Sequence, residues 1–332
     1  MNSAPKLPEL YDIRAVSRCA RQYNLALIAW LGIFLLLFAT GLKTLERMDR
    51  LPPPPFTATH CIDDTFRFLH GADLSDITLL AVGSSVTARS LDAGALQRHY
   101  GPGVKAINAA PCYLQMNQIA FLTDFYLKHL PHVKTVLSVF AMRDFSECAS
   151  NPTEFFDVNE AGEYIFERRS LFYLYFKNFR PPRFVRSVLN PPRTERDQYG
   201  WAPFETEPDA REDVFLDQTC LAHLQRMSDK LAQRNIDFVA VLLPPMPAWL
   251  NQYDPAGARD QAYRFAVAAH VDPEHTLLID TAKDLKLGDQ HFTDPAHLQR
   301  HSVALLMQYI QRKVDQASKE RPLYLAKSES AL

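Results

Sequence analysis

The chain alternates between short runs of apolar residues and longer segments in which apolar residues recur every three or four positions. The apolar runs that predict β-strands cover Ile77–Val82, Val104–Asn108, Thr135–Phe140, Ile236–Leu243 and Thr276–Asp280. Helical periodicity covers Leu91–Tyr100, Leu114–His129, Leu216–Arg234, Asp260–His270 and Leu298–Val314. Strands that are apolar throughout and alternate with helices are typical of a parallel sheet covered on both faces. The pattern therefore predicts an α/β fold, a three-layer sandwich around a five-stranded parallel sheet.

One apolar segment is too long for a strand. Leu25–Leu42 carries no charged residue over 18 positions, which is the length of a membrane-spanning helix. Four basic residues precede it, Lys6, Arg14, Arg18 and Arg21. The positive-inside rule then places the N-terminus in the cytoplasm and the rest of the chain across the membrane. A cleaved signal peptide ending near Ala39-Thr40-Gly41 and a buried core helix are the alternatives to an anchor.

These features divide the chain into a cytoplasmic segment (1–24), an anchor (25–42), a proline-rich stalk (43–72), an α/β domain (73–315) and a tail (316–332). The four prolines Pro52–Pro55 favour an extended polyproline stalk. An insertion at 146–215 breaks the rhythm of strands and helices with aromatic, arginine and proline residues. It predicts a lid, a sugar-stacking wall or a surface lying on the bilayer. The aromatic residues available for stacking, unless they are core residues, are Tyr173, Tyr175, Trp201 and Trp249.

Composition narrows the choice of partners. The 332 residues carry a net charge of −2 without a basic run, so nucleic acid is not an implied partner. Of the five cysteines, Cys19 would be cytosolic and the other four exported. Those four allow three pairings or free thiols, and their spacing is not that of metal ligands. Because Cys112 and Cys148 follow the second and third strands, we expect these two to approach each other.

Two short motifs carry candidate chemistry. Gly83-Ser84-Ser85 follows the first strand, at the sheet edge where ligands bind in such folds, although a Gly-Ser turn commonly just caps a helix. Asp294 precedes His297 by three residues near the C-terminus. An aspartate N-cap with Pro295 at the first helical position would explain that motif equally well. Together the two motifs predict a Ser-His-Asp triad, in which Asp294 orients His297 and His297 activates the serine.

These motifs resemble the SGNH (GDSL-type) hydrolases, whose nucleophilic serine ends a Gly-Asp-Ser motif after the first strand. The resemblance covers residues 73–315 and implies a flavodoxin-like sandwich that needs no cofactor or metal. It assigns Ser85 as the nucleophile, Ser84 to the position of the family aspartate, His297 as the base and Asp294 as its orienting residue.

The middle motifs depart from the family pattern. Asn108 matches the family, but the glycine whose N–H completes the oxyanion hole is absent from the following "AAPC", and Pro111 has no N–H. After the third strand, "AMRD" places Arg143 where the family has asparagine. We expect oxyanion contacts from the Ser85 N–H together with Asn108 or Arg143. The alternative is that Arg143 pairs with Asp144 or another carboxylate and the oxyanion hole is degenerate.

The "RDF" of Arg143–Phe145, the anchor and "VLLPPMPAWL" look most like the exported envelope branch of the family, which includes alginate O-acetylation and teichoic acid D-alanyl-transfer proteins. That resemblance implies an O-acyltransferase or esterase on the outer face of the cytoplasmic membrane, in the periplasm or its equivalent. Its substrate would be envelope polysaccharide, with a membrane-bound O-acyltransferase as partner. A catalytically silent scaffold and an exported lipid or ester hydrolase are the alternatives.

Overall fold

The computed structural model describes residues 13–190, 195–209, 213–321 and 323–327. By its contacts the chain divides into two units. The larger unit comprises Pro53–Leu174 and Arg193–Leu332, and the smaller comprises Met1–Pro52 and Tyr175–Pro192. The candidate motifs therefore all belong to the larger unit.

The larger unit is built on a five-stranded parallel sheet with the strand order β2-β1-β3-β4-β5. The strands are β1 Leu79–Ala81, β2 Ala106–Asn108, β3 Thr135–Phe140, β4 Asp237–Leu242 and β5 Thr276–Asp280. They fall within the predicted runs, so the α/β class and the five-stranded parallel sheet are confirmed. β1 lies between β2 and β3, which gives it two hydrogen-bonded neighbours.

The helices of the chain, in order, are α1 Ile13–Arg47, α2 His60–Gly71, α3 Ser85–Ser90, α4 Ala93–Tyr100, α5 Met116–His129, α6 Val158–Ile165, α7 Tyr173–Lys177, α8 Pro181–Leu189, α9 Gln218–Gln233, α10 Pro247–Tyr253, α11 Ala258–Ala269, α12 Arg300–Glu320 and α13 Tyr324–Lys327. A two-stranded antiparallel hairpin, β6 Phe292–Asp294 and β7 His297–Leu298, precedes α12.

Both faces of the sheet are covered. Leu80, Val136 and Phe238 belong to one hydrophobic cluster, which also contains residues of α2, α5, α6 and α9. Their neighbours along the same strands, Leu79, Leu137 and Val239, belong to a second cluster with residues of α4 and α12. Successive strand residues point to opposite faces, so a strand buried on both faces is apolar at most positions, and a buried polar residue such as Ser138 bonds to the neighbouring backbone. That is why the strands read as uninterrupted apolar runs.

The predicted stalk is wrong for the second half of 43–72. Helix α2 lies there, and its residues Phe66 and Leu69 are buried in the core. Pro53 and Pro54 are also buried. The α/β unit therefore begins about twenty residues before the predicted boundary at 73, at Pro53. The apolar spacing of Ile62, Phe66 and Leu69 was a helical signal that the neighbouring prolines obscured.

The smaller unit contains α1, which is the one described helix long and apolar enough to cross a membrane. Its most apolar window has a mean hydropathy of 2.5 and is almost entirely exposed, judged by length and composition alone. Trp30 is 72% exposed and Leu37 is 67% exposed. Near the end of the apolar stretch, the ring of Phe38 lies 4.4 Å from that of Phe176 and 5.4 Å from that of Phe179. Aromatic residues of the insertion thus pack on the helix.

Two disulfides join Cys61 to Cys112 and Cys148 to Cys220, and Cys19 is free. The predicted approach of Cys112 to Cys148 is wrong. Strand β1 separates β2 from β3, so the segments that follow those strands are not adjacent. Cys112 instead meets Cys61 in α2, and Cys148 meets Cys220 in α9. Each bridge therefore fastens a loop at the carboxyl edge of the sheet to a covering helix.

We expect the denatured protein to show one free thiol without reductant and five after reduction, since Cys19 alone is unpaired. Removing the second bridge by Cys148→Ser with Cys220→Ser should lower the free energy of unfolding by about 2–5 kcal/mol, because the bridge restricts the unfolded chain. Denaturant titration measures this, with Cys19→Ser as the control. Unchanged stability in the double variant would contradict the assigned pairing.

Candidate functional site

The backbone between β1 and α3 presents Ser85 at the carboxyl end of a central strand. Ser84 caps α3, because its hydroxyl accepts a hydrogen bond from the N–H of Val86 at 3.1 Å. Gly83 leaves room for Thr87, since a Cβ at position 83 would lie 2.0 Å from the Thr87 hydroxyl oxygen. The strand can therefore turn directly into the helix, and Ser85 becomes the first helical residue.

The structure brings the three predicted triad residues together. His297 Nε2 lies 2.8 Å from Ser85 Oγ. On the other side of the ring, His297 Nδ1 lies 2.8 Å from both carboxylate oxygens of Asp294. With Asp294 ionised, the Nδ1 proton is donated to the carboxylate, which leaves Nε2 to accept from the serine hydroxyl. Hydrogen bonds therefore connect Ser85 to Asp294 through both nitrogens of one imidazole.

Asp294 and His297 lie on the β6–β7 hairpin and not at the start of a helix. Asp294 accepts from the N–H of Ala296 at 2.9 Å within the turn, which fixes the carboxylate beside the His297 ring. The alternative of an aspartate N-cap is wrong, because α12 begins at Arg300 with Gln299 as its N-cap. A local turn thus sets the distance between Asp294 and His297, whereas tertiary packing delivers both residues to Ser85.

A carboxylate whose role the sequence did not predict supports the loop that carries the nucleophile. Ser84 donates from its hydroxyl to Asp144 Oδ1 at 2.5 Å. The other oxygen, Asp144 Oδ2, accepts from the N–H of Ala141 at 3.0 Å. Asp144 is 1% exposed and follows β3, so this bond connects the ends of two adjacent strands. The "AMRD" motif therefore contributes a buried structural carboxylate.

The side-chain amide of Asn108 is hydrogen-bonded to backbone groups. Its amide nitrogen donates to the carbonyls of Thr87 at 3.0 Å and Leu91 at 2.9 Å, and its oxygen accepts from the N–H of Ala110 at 3.2 Å. Both N–H groups of the Asn108 side chain already donate hydrogen bonds, so neither is available to an oxyanion. Asn108 holds α3 against β2.

The loop after β2 has few backbone N–H groups available to bind an oxyanion. The N–H of Ala109 donates to the carbonyl of Ala81 at 2.9 Å, and the N–H of Ala110 is bound by Asn108. Pro111 has no N–H to donate. Within the part of the chain that the structure describes, the N–H of Ser85 forms no hydrogen bond. Arg143 is half-buried, and its positive charge influences both Asp294 and His297.

One wall of the site comes from the end of the insertion. Trp201 donates from its indole nitrogen to the carbonyl of Arg89 at 2.8 Å, and the N–H of Ala202 donates to the carbonyl of Ala88 at 3.0 Å. These bonds fasten the segment to α3 and place the ring of Phe204 5.8 Å from the His297 ring, edge to face. The Arg89 guanidinium lies 3.7 Å above the ring of Phe204.

Neither Arg89 nor Phe204 was singled out from the sequence. Arg89 follows Ser85 by four residues, so a short helix starting at Ser85 would have placed both on one face. No comparable signal marks Phe204. Of the four aromatic residues considered for stacking, Trp249 and Tyr175 are buried, Trp201 uses its indole N–H internally, and Tyr173 is 48% exposed.

The electrostatics of the triad favour a neutral base. Burial lowers the pKa of His297 below its ordinary value against the opposing effect of Asp294, and the charges of Arg89 and Arg143 lower it further. Burial alone would raise the pKa of Asp294, but the hydrogen bond and charge of His297 hold that pKa below its usual value. At neutral pH, Asp294 is therefore ionised and His297 is neutral, as a general base requires.

Comparison with protein-family models found no match, and comparison with curated proteins found no significant relative. Among the described residues, no group of three or more His, Cys, Asp or Glu side chains is arranged to hold a metal ion. The chemistry of the site is therefore argued from its own geometry.

We expect Gly83→Ala to disrupt the nucleophile loop, because the added methyl group would overlap the Thr87 hydroxyl at 2.0 Å. The overlap must be relieved by moving α3, so the free energy of unfolding should fall by about 1–3 kcal/mol. Thermal or denaturant unfolding measures this. Gly71→Ala is the matched control, since nothing lies within 4 Å of a Cβ built there. Equal stability of the two variants would contradict the described packing.

If Ser85 cleaves esters with His297 as its base, activity should fall on acidification, with a midpoint below the ordinary histidine value of 6.5, because protonated His297 cannot accept the serine proton. The pH profile of kcat/KM with a neutral ester measures this. The charge of Arg89 lowers the pKa of His297, so Arg89→Gln should move the acid limb to higher pH. An acid limb above 6.5 in the unmodified protein would contradict the assignment of a buried, neutral base.

Proposed function

We propose that the protein is a membrane-anchored, exported serine esterase or O-acyltransferase of the SGNH type. It would transfer an acyl group, above all acetyl, to or from a cell-envelope or secreted polysaccharide. The observation that carries this proposal is the hydrogen-bonded chain from Ser85 Oγ through His297 to the Asp294 carboxylate. A serine, a histidine and an aspartate in this order form a nucleophile, a base and an orienting group.

In the first half of the reaction, Ser85 Oγ attacks the ester carbonyl carbon while its proton passes to His297 Nε2. Asp294 stabilises the resulting imidazolium through the Nδ1 proton. The tetrahedral intermediate then expels the alcohol, which takes the proton from His297 and leaves an acyl-serine. In the second half, a sugar hydroxyl or water attacks the acyl-serine and gives its proton to His297, which frees Ser85. A sugar acceptor makes the reaction a transfer, and water makes it hydrolysis.

Oxyanion stabilisation would come from the Ser85 N–H with Arg143 as the second donor. The N–H at the first position of α3 is available, and a guanidinium can donate to an oxyanion with full charge. This arrangement replaces the family glycine, which is absent from residues 109–112 after β2. The resemblance therefore extends to the nucleophile and base but not to every oxyanion donor.

A small cleft beside the Asp294–His297 turn supports a short acyl group. Arg143, Trp249, Pro295 and Ala296 line it together with apolar residues that follow β3 and β4. Its volume is about 30 Å³, which is the space of one or two water molecules. Acetyl fits this space better than a long acyl chain.

Membrane anchoring and export are supported by two further observations. The apolar surface of α1 is exposed to an extent that soluble proteins seldom show. The two disulfides are typical of proteins that fold in an oxidising compartment. Together with the basic residues before the apolar stretch, they favour an extracytoplasmic location for the α/β unit.

We expect a fluorophosphonate probe to label the unmodified protein, and Ser85→Ala and His297→Ala to lose both labelling and acetyl ester cleavage. Because triad residues act as a unit, the double variant should be scarcely less active than either single variant. Asp294→Asn should fold and still lose activity by about 10³–10⁴-fold, since an amide cannot stabilise the imidazolium. Ser90→Ala is the matched control, because Ser90 lies on the same helix and its buried hydroxyl has no hydrogen-bond partner among the described residues.

The other outcomes distinguish the alternatives. Labelling that persists in Ser85→Ala would reject the nucleophile assignment. A protein that neither reacts with the probe nor cleaves any ester, yet is needed for envelope acylation in the cell, would support the scaffold alternative. Faster cleavage of long-chain than of acetyl esters would favour the lipid hydrolase.

A further inference from the structure

Arg89 is the most unusual charged residue of the site. It lies one helical turn after Ser85 on α3, so the two side chains share a face of the helix. Helical side chains lean toward the N-terminus of their helix, which directs Arg89 toward the nucleophile. The guanidinium is stacked 3.7 Å above the ring of Phe204, which in turn meets the edge of the His297 ring. Arg89 is thus held beside the triad.

Within the described parts of the chain, the Arg89 guanidinium has no hydrogen bond or ion pair to a protein acceptor. The residue is half-buried, and burial lowers its pKa although Asp294 is close enough to oppose the shift. Arginine carries five N–H donors, and burying its charge is costly unless those donors bind acceptors. The Phe204 ring covers one face of the guanidinium, so the N–H groups along its edge are available to a ligand. That edge is suited to a planar, bidentate anion.

The residues around Arg89 fix its position, which indicates that the N–H edge of its guanidinium has a function. The carbonyl of Arg89 accepts the indole N–H of Trp201, so the helix turn that carries the guanidinium is fixed from outside. Tyr113, in the loop after β2, is 63% exposed and has a left-handed φ of 62°. A tyrosine in that conformation is uncommon, and strained residues cluster at ligand sites.

We propose that Arg89 binds an anionic group, a carboxylate or a phosphate, on the substrate next to the ester or the acceptor hydroxyl. This inference rests on the proposed acyl transfer and names its substrate class, an acidic glycan or another polyanion. A bidentate contact would fix the sugar relative to Ser85, and the positive charge would attract the polymer to the site. Arg89 would accordingly determine specificity without entering the bond-making steps.

The test uses the full-length protein in detergent and three O-acetylated sugars that share the galactose ring. They are the methyl glycoside of galactose, the methyl glycoside of galacturonic acid with its carboxylate free, and galactose phosphate. Acetate release gives kcat/KM for each ester. We expect the unmodified protein to prefer at least one anionic ester by about 10-fold or more. Arg89→Gln should abolish that preference chiefly through KM, and Arg89→Lys should retain part of it. Arg312→Gln is the control, since Arg312 is an exposed arginine near the Tyr309 ring on α12.

Binding measured without turnover separates this inference from the proposed function. In Ser85→Ala, titration with galacturonate, galactose phosphate and galactose should show tighter binding of an anionic sugar, and adding Arg89→Gln should remove the difference. Comparison of the two anionic sugars decides between carboxylate and phosphate. If the neutral sugar binds and reacts as well as the anionic ones, the inference is overturned while the esterase stands. If anions bind through Arg89 but no ester is cleaved, the esterase proposal fails and the anion site stands.

An equal loss on neutral and anionic esters in Arg89→Gln would also overturn the inference, because it would assign Arg89 to oxyanion stabilisation or to folding. Thermal unfolding of Arg89→Gln and Arg89→Lys distinguishes these two causes. A folded variant with a uniform loss would make Arg89 an oxyanion donor. If Arg89→Gln does not fold, Arg89→Lys decides the question, because it keeps the charge and changes only the bidentate geometry.

Discussion

The position of the candidate nucleophile depends on one buried threonine. Thr87 is fully buried on α3, and its hydroxyl both accepts from the N–H of Val139 at 3.0 Å and donates to the carbonyl of Val139 at 2.9 Å. This pair of bonds fixes the first turn of α3 to β3, while Gly83 allows Thr87 to approach the loop. Ser85 is therefore held by its helix before the triad hydrogen bonds form. A rigid loop of this kind is what positions a nucleophile.

The hydrogen bond between Ser84 and Asp144 connects the turn that carries Ser85 to the neighbouring strand of the sheet. In this structure the carboxylate comes from β3 and the hydroxyl from the nucleophile loop. The bond between them still connects the ends of β1 and β3. Burying a carboxylate is costly unless its oxygens are satisfied, and here the Ser84 hydroxyl and the Ala141 N–H satisfy both. The buried carboxylate therefore stabilises this connection between the strands.

The electrostatic character of the site comes from two arginines and a carboxylate around a buried imidazole. Burial lowers the pKa of His297, and the charges of Arg89 and Arg143 lower it further, whereas Asp294 opposes the shift. The neutral imidazole is thus favoured, and the aspartate is close enough to stabilise an imidazolium.

The sequence by itself determined the sheet, the long apolar helix and the two motifs at the ends of the domain. It could do so because uninterrupted apolar strands and a turn such as Asp294–His297 depend on local spacing. Tertiary structure decided the disulfides, the boundary at Pro53, the structural role of Asn108 and the placement of Arg89, Phe204 and Asp144. Each of these depends on which strands are neighbours and on which side chains meet between separate elements of the fold. Spacing along the sequence carries no information on such contacts, because they form only when the sheet is assembled.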